Sequence, residues 1–428
     1  MNKNKSYALP IAMMFALFFM IAFVTGLPAP FGVIVKNQFG ATNFMSTLGF
    51  FANFIAYAFM GIPAGMLLER IGYKKTALLA VAVGFTGVGV QYLSGQVGSF
   101  NVYLAGAFIS GFSMCMLNTV VNPMLNTLGG GGKKGNQLIQ TGGSLNSVAA
   151  TIVPVLVGYL MGANVEGRTI EKANPALFLA LGIFALVFVV LYIMEIPEPR
   201  LVGKVKVKHE HSPLSFRHFI FGAAAIFMYV GIEIGIPHFA NLFMTSEIDA
   251  GGLAIDPTIA GSVVGTYWFL MMIGRIAGAS LGAKFSSKTM LTTVSLVGLV
   301  FVLLAIALPI STQVSMPVFR SDISFGFVQV PVGVMFLALC GLCTSVMWGG
   351  IFNLAVEGLG KYTEAASGIF MTLVCGGGIL PLIQGAIADN TSYLASYWVI
   401  FVGLAYMLFY ALVGSKNVNK DIPVEVIA

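Results

Sequence analysis

The sequence predicts an all-α membrane protein with twelve transmembrane helices in two six-helix bundles. Three observations carry that prediction. Of 428 residues, 57% are hydrophobic and only 9% charged, against about 25% charged in soluble domains. The apolar residues fall into twelve runs, each near the ~20 residues that cross a hydrocarbon core. One hydrophilic connection, Pro197–Phe216, divides those runs six and six. Backbone groups in lipid must be satisfied internally, so continuous runs of this length are helices.

The first run, 8–34, follows Lys3 and Lys5 and ends in no small-residue cleavage pattern, so it reads as a membrane helix rather than a removable leader. The first half continues with 44–68, 76–95, 102–127, 137–163 and 174–195. A linker, 197–217, carries His209 and His211 and is read as solvated. The second half comprises 218–244, 258–283, 289–310, 330–356, 366–387 and 393–414. The predicted units are therefore 1–196, the linker 197–217, and 218–428. Loop cations orient the array. With the N-terminus inside, 17 of the 22 Lys and Arg residues are cytoplasmic and four (Lys36, Arg168, Lys172, Arg320) are outside. The remaining one, Arg275, sits within a span. This asymmetry places both termini in the cytoplasm. It also makes the net charge of +6 a topology signal rather than a nucleic-acid patch.

Several chemistries find no support. Cys115, Cys340, Cys343 and Cys375 lie in apolar runs, and Cys340–Cys343 is a single C-x-x-C, so no zinc spacing arises and no metal is expected. The four histidines are scattered at 209, 211, 218 and 238. The glycine run "GGGGKKG" after Leu128 lacks the Ser or Thr that a phosphate loop needs for magnesium, and no strand precedes it. It reads as a flexible cytoplasmic turn. With no nucleophile–base set, the chain is not expected to be an enzyme, and no cofactor is expected.

The halves share a mark. "GIPAG" at Gly61–Gly65 and "GRIAG" at Gly274–Gly278 both place glycines four apart, a face on which helices pack closely. Two six-helix halves joined by a cytoplasmic linker match alternating-access carriers, whose substrate site lies near the midplane between the halves. The stretch "GIPAGMLLERIGYKK" resembles the motif between spans two and three of the major facilitator superfamily. That resemblance implies a conformational latch built from Gly61, Gly65, Glu69, Arg70 and Lys74. The plainer reading is an ordinary positive-inside loop.

A closer resemblance spans most of the chain. "GFSMCMLNTVVNPMLNTLG" (111–129), "FMYVGIEIGIPHF" (227–239), "GTYWFLMMIGRIAG" (265–278), "IFNLAVEGLG" (351–360) and "GIFMTLVCGGGILPLIQGAIAD" (368–389) are similar to the fucose–galactose–glucose:proton symporter family. The resemblance implies a monosaccharide carrier of the bacterial inner membrane, for a hexose or deoxyhexose such as fucose, glucose or galactose.

Ionisable groups inside spans are costly unless paired or hydrated, so the few present are informative. Glu233 is read as a sugar acceptor or a proton site, against a purely structural pairing. Arg275 and Glu357 are read as members of a structural or gating ion pair, with substrate contact an equal reading for Arg275. His238 is read as a satisfied polar residue. Neutral polar residues form stripes. Asn118 and Asn122 share a helix face, and Gln137, Gln140 and Ser144 make a second stripe with Asn146 beside it. Trp348, Asn353 and Trp268 add an aromatic and amide set from the second half. Amides offer both donors and acceptors to sugar hydroxyls. The bland alternative is helix-to-helix glue, worth about 1 kcal/mol per bond.

The chain departs from the symporter pattern at two places. Ala29 and Asn118 stand where that family has acids. An amide binds sugar but carries no proton, which leaves three couplings open. These are a proton at Glu233, a sodium ion among Asn, Ser and backbone oxygens, or an uncoupled facilitator. Carriage of another small neutral solute, such as a nucleoside or amino sugar, is the competing substrate class. A non-transporting sugar sensor is a remote one. The expected partners are the sugar and the lipid bilayer, with the carrier a monomer.

Overall fold

The protein is described by a computed structural model over residues 7–26, 43–130, 132–160, 171–198, 211–282, 284–320, 324–419 and 421–424. Ala29, His209 and most of the predicted linker lie outside those residues. In the first half, helix α1 is Ala8–Gly26, α2 Asn43–Val97, α3 Phe100–Leu128, α4 Gly132–Leu160 and α5 Asn174–Ile193. In the second, α6 is Arg217–Thr245, α7 Pro257–Leu281 and α8 Ser287–Ala307. A hairpin follows, β1 Gln313–Phe319 and β2 Phe325–Pro331, and then α9 Val332–Thr344, α10 Met347–Val356, α11 Thr363–Thr372, α12 Gly376–Asn390 and α13 Tyr393–Phe409.

Ten helical stretches among the described residues are long and apolar enough to cross a membrane. One of them, Thr47–Val97, carries two of the predicted spans, and α4 covers the fifth. The chain is thus a multi-pass membrane protein. The predicted loop between spans two and three is almost wholly helical; only Gly72 leaves helical geometry, at φ 81° and ψ 177°. The glycine-rich turn between α3 and α4 is also tighter than its sequence suggests. Gly129 and Gly130 make the turn, with Gly130 at φ 77°, and α4 already begins at Gly132.

The bend at Gly72 is held from a distance. The Tyr73 and Lys74 amides donate to the Glu198 carboxylate at 2.9 and 3.1 Å, and Lys74 Nζ donates to the Tyr192 carbonyl at 2.9 Å. A carboxylate here caps the free amides that start the second arm of α2. Gly72→Ala is expected to lower thermal stability in detergent. A Cβ would meet the Glu198 carboxylate at 2.7 Å, and this positive φ with extended ψ, a region almost confined to glycine, costs an L residue about 1–3 kcal/mol. An unchanged melting temperature would contradict this account of the bend.

Two spans of the second half are broken near their middles. Residues 345–346 separate α9 from α10, and a 3-10 turn at Leu373–Cys375 separates α11 from α12. The prediction of a purely helical chain needs one correction: β1 and β2 pair antiparallel, with Met316 opposite Val328. The predicted tenth span therefore starts at Val332 rather than inside β2. Asp256 caps α7 by accepting the Thr258 amide at 2.8 Å, and that bond holds its carboxyl below the ordinary carboxylate range.

The halves meet along two seams. One packs α4 on α7, and the other packs α2 on α11 and α12. The ends of α7, α10 and α13 gather with the bend of α2 at a basic end bearing Lys74, Lys284, Lys288, Lys361 and Lys416; the hairpin lies at the opposite end. On the basic-end side of the cavity, a Cβ at Gly61 would sit 2.5 Å from the Thr372 backbone nitrogen, and one at Gly368 would sit 3.1 Å from the Gly61 carbonyl. Backbones approach this closely only because Gly61, Gly65 and Gly368 lack side chains.

Candidate functional site

A cavity of about 160 Å³ lies between the halves. Its first-half wall combines Phe18 and Thr25 of α1, Phe54 and Tyr57 of α2, Asn118 of α3, and Gln140 and Asn146 of α4. Its second-half wall brings Glu233 of α6, Trp268 and Arg275 of α7, and Trp348 of α10. The amides therefore come from one half, and the two indoles and the charged pair from the other. The cavity adjoins the broken region of α9–α10 through Trp348 and that of α11–α12 through Val374.

Two amides of the wall are held by hydrogen bonds to neighbouring helices. Asn118 Nδ2 donates to Tyr57 Oη at 3.0 Å and to the Met114 carbonyl at 3.1 Å. Asn146 Nδ2 donates to the Phe18 carbonyl at 3.1 Å. Pro237 has no amide hydrogen, so the Glu233 carbonyl four residues earlier loses its helical donor. The Tyr267 hydroxyl supplies one at 3.1 Å, which satisfies the break in α6 beside the Glu233 side chain.

Glu233 is the one acid among the described lining residues. Arg275 Nη2 donates to Glu233 Oε1 at 2.9 Å, and both side chains are largely buried, at 7% and 14% exposure. The same guanidinium reaches across to the other half. Its Nη1 donates to the Gly143 carbonyl at 2.7 Å and lies 3.5 Å from Asn146 Oδ1. A second tie crosses close by, from Trp348 Nε1 to Asn122 Oδ1 at 3.4 Å. Together with the Gly61–Thr372 seam, these contacts form a floor between the cavity and the basic end.

Of the residues singled out by sequence, Asn118, Gln140, Asn146, Glu233 and Trp348 line the cavity, as do Trp268 and Arg275. Asn122 lies behind the wall, with its Nδ2 donating to the Asn118 carbonyl at 2.9 Å. Ser144 is turned into its own helix and donates to the Gln140 carbonyl at 3.0 Å. Gln137 is exposed at the start of α4, well below the cavity. Asn353 donates to Ser287 Oγ at 3.0 Å near the basic end. The ion pair expected to involve Glu357 has a different carboxylate: Arg275 pairs with Glu233. Glu357 is exposed at the end of α10, where its backbone carbonyl lies 2.9 Å from His218 Nε2.

The latch residues divide in the same way. Gly61 and Gly65 sit in the seam with α11, and Lys74 ties to Tyr192, while Glu69 and Arg70 are exposed. Glu198, which sequence reading passed over as linker, is the carboxylate that holds this bend. Tyr57 was also missed. Its signal was faint: it precedes Gly61 by four residues and so lies on the glycine face of α2.

Comparison with known proteins places this geometry among carriers. The profile of the Major Facilitator Superfamily matches residues 14–380. The chain is 27% identical to the glucose/galactose transporter of Brucella abortus biovar 1 (strain 9-941), over 97% of this chain and 96% of that protein. It is 29% identical to a putative glucose/galactose transporter of Helicobacter pylori (strain ATCC 700392 / 26695), over 97% of this chain and 99% of the other. The crystal structure of the Escherichia coli fucose:proton symporter superposes with a TM-score of 0.75 at 20% identity, covering 96% of this chain and 100% of that one.

Proposed function

The chain belongs to the Major Facilitator Superfamily, and from that premise we propose that it imports a monosaccharide across the bacterial inner membrane by alternating access, coupled to a proton. The observation that carries the reading is the wall chemistry of the cavity. Asn118, Gln140 and Asn146 face Trp268 and Trp348 across a space between two six-helix halves. Amides match sugar hydroxyls, and indole faces match the C–H face of a pyranose. The names of the relatives, glucose/galactose transporter and fucose:proton symporter, support the same substrate class. The carrier acts as a monomer in the bilayer, with the basic end and both termini in the cytoplasm.

The coupling follows from Glu233 and Arg275. With Glu233 ionised, Arg275 is neutralised by its partner and its other edge closes the floor against Gly143. A proton on Glu233 leaves a buried cation without a counter-charge, which costs several kcal/mol in a low-dielectric interior. Opening the floor to the cytoplasm hydrates that cation and removes the cost. The loaded, protonated carrier therefore opens inward. Loss of the proton to the cytoplasm restores the pair and permits the return. An uncoupled facilitator is the second reading, favoured by Asn118 standing where the symporters have an acid.

Trp268 and Trp348 supply the test of binding. Titrating the purified protein with glucose, galactose and fucose is expected to change its intrinsic fluorescence for at least one sugar. Asn118→Leu is expected to weaken that binding roughly tenfold, because a buried hydroxyl left unpaired costs about 1–3 kcal/mol. A fluorescence response that Asn118→Leu leaves unchanged would remove Asn118 from the site.

A further inference from the structure

None of the described hairpin residues lines the cavity. The hairpin has two faces. Met316, Val318 and Val330 are buried against the helices behind, while Pro317, Phe325 and Phe327 face outward. Phe325 and Phe327 are 68% and 69% exposed, among the most exposed large apolar side chains of the protein. The tip is fastened to α7. The Phe319 ring stacks on Phe269 with centroids 4.9 Å apart and planes 6° from parallel, and its amide donates to Thr266 Oγ1 at 2.8 Å.

That attachment fixes what surrounds the outer face. Thr266, Phe269, Ile273 and Ile276 follow spacings of three, four and three, so they form one stripe on α7. Ile273 and Ile276 are exposed on a membrane-spanning helix, which makes this the lipid-facing stripe. The hairpin tip covers its outer part and continues its apolar surface. Thr266 follows Pro257 by nine residues, or about 13 Å of helix. The 25 residues of α7 span about 37 Å against about 30 Å of hydrocarbon. With α7 centred on that layer, Thr266 lies about 10 Å inside its outer boundary, so the tip reaches in among the acyl chains.

Polarity along the outward face follows the same depth. Gln313, Ser315 and Gln329 lie at the base, and Pro317, Phe325 and Phe327 toward the tip. Arg320 lies on the other face, with Val318: its guanidinium occupies the space that a side chain at position 326 would need, and Gly326 pairs with Val318.

We propose that the hairpin is an outer-leaflet anchor, with Phe325 and Phe327 seated among the acyl chains beside the lipid-facing stripe of α7. The face continues a lipid-facing helix stripe, which favours lipid over a soluble protein as its occupant.

All four native cysteines are buried, so a nitroxide can be attached at an introduced one. Phe327→Cys and Ser315→Cys, each labelled and reconstituted in phosphatidylethanolamine–phosphatidylglycerol vesicles, would be compared for collision with oxygen and with a water-soluble nickel chelate. The label at 327 is expected to favour oxygen and the label at 315 the chelate. Equal chelate access at 327 and 315 would place the tip in water and overturn the proposal. Spin–spin broadening at 327 would seat a second copy there, and shielding from both reagents would mean protein covers the face; either result also overturns it.

Discussion

A carrier with Glu233→Gln is expected to exchange sugar across the membrane but to lose all accumulation driven by a pH gradient. The glutamine keeps the size of the side chain and can accept one hydrogen bond from Arg275, but it cannot alternate between charged and neutral forms. The cation at 275 is then without a counter-charge in every state of the cycle. Removing one partner of a buried pair typically costs about 3–5 kcal/mol, so some loss of thermal stability is expected as well. Hydration of Arg275 in the inward-open form offsets part of that cost, and the variant should favour that form. Sugar affinity should fall by less, about threefold to tenfold, because a single neutral hydrogen bond is worth about 0.5–1.5 kcal/mol. Counterflow and gradient-driven uptake in the same vesicles separate these effects. Full proton-driven accumulation by Glu233→Gln would exclude this residue as the coupling group.

Gly61→Leu is expected to reduce transport to background while leaving the protein folded. The first side-chain carbon would already collide with Thr372, and Gly368 faces the Gly61 carbonyl and Gly65 from the same seam. A leucine cannot fit there without parting the two halves on the basic-end side of the cavity. Each half keeps its own packing, so the damage falls on one conformational state rather than on the fold. The variant should be labelled by a membrane-impermeant thiol reagent at a cysteine introduced on the floor, applied from the cytoplasmic side, where the parent protein is protected. Gly61→Ala should be intermediate, since one methyl group demands a smaller separation. Wild-type transport by Gly61→Leu would mean that the seam does not close during the cycle.

The spans were legible because lipid imposes a simple rule: every crossing must be helical and apolar for about 20 residues. Where the rule is silent, the sequence was less informative. The hairpin carries alternating Val314, Met316 and Val318 opposite Val328 and Val330, a period of two. Pro317 interrupts that pattern in β1, and the apolar end of β2 merges with the start of α9, so a hydropathy reading absorbs it into the tenth span. The breaks at 345–346 and 373–375 were invisible for a related reason, since an interrupted helix keeps the hydropathy of a continuous one.

The site was legible in kind but not in depth. Helix spacing correctly put Gln137, Gln140 and Ser144 on a common stripe of α4, yet a stripe runs through the whole membrane while a cavity touches only a turn or two. Gln140 meets the cavity, Gln137 falls at the exposed start of the helix, and Ser144 turns back to its own backbone. The partner of Arg275 was beyond sequence for a different reason. Glu357 and Glu233 are both acids on second-half spans, and only the packing of α6 on α7 brings one of them to 2.9 Å. Tyr57 and Glu198 act through partners 61 and 125 residues away, distances over which no periodicity speaks.

The central claim, a monosaccharide carrier driven by protons through the cavity between the halves, is tested most directly by uptake into vesicles. Labelled glucose, galactose and fucose would be offered to the purified, reconstituted protein, with a proton gradient and a sodium gradient imposed separately. The account predicts that at least one sugar is concentrated by the proton gradient and not by the sodium gradient, and that Glu233→Gln abolishes the concentration. Absence of uptake for every monosaccharide under both gradients would contradict it.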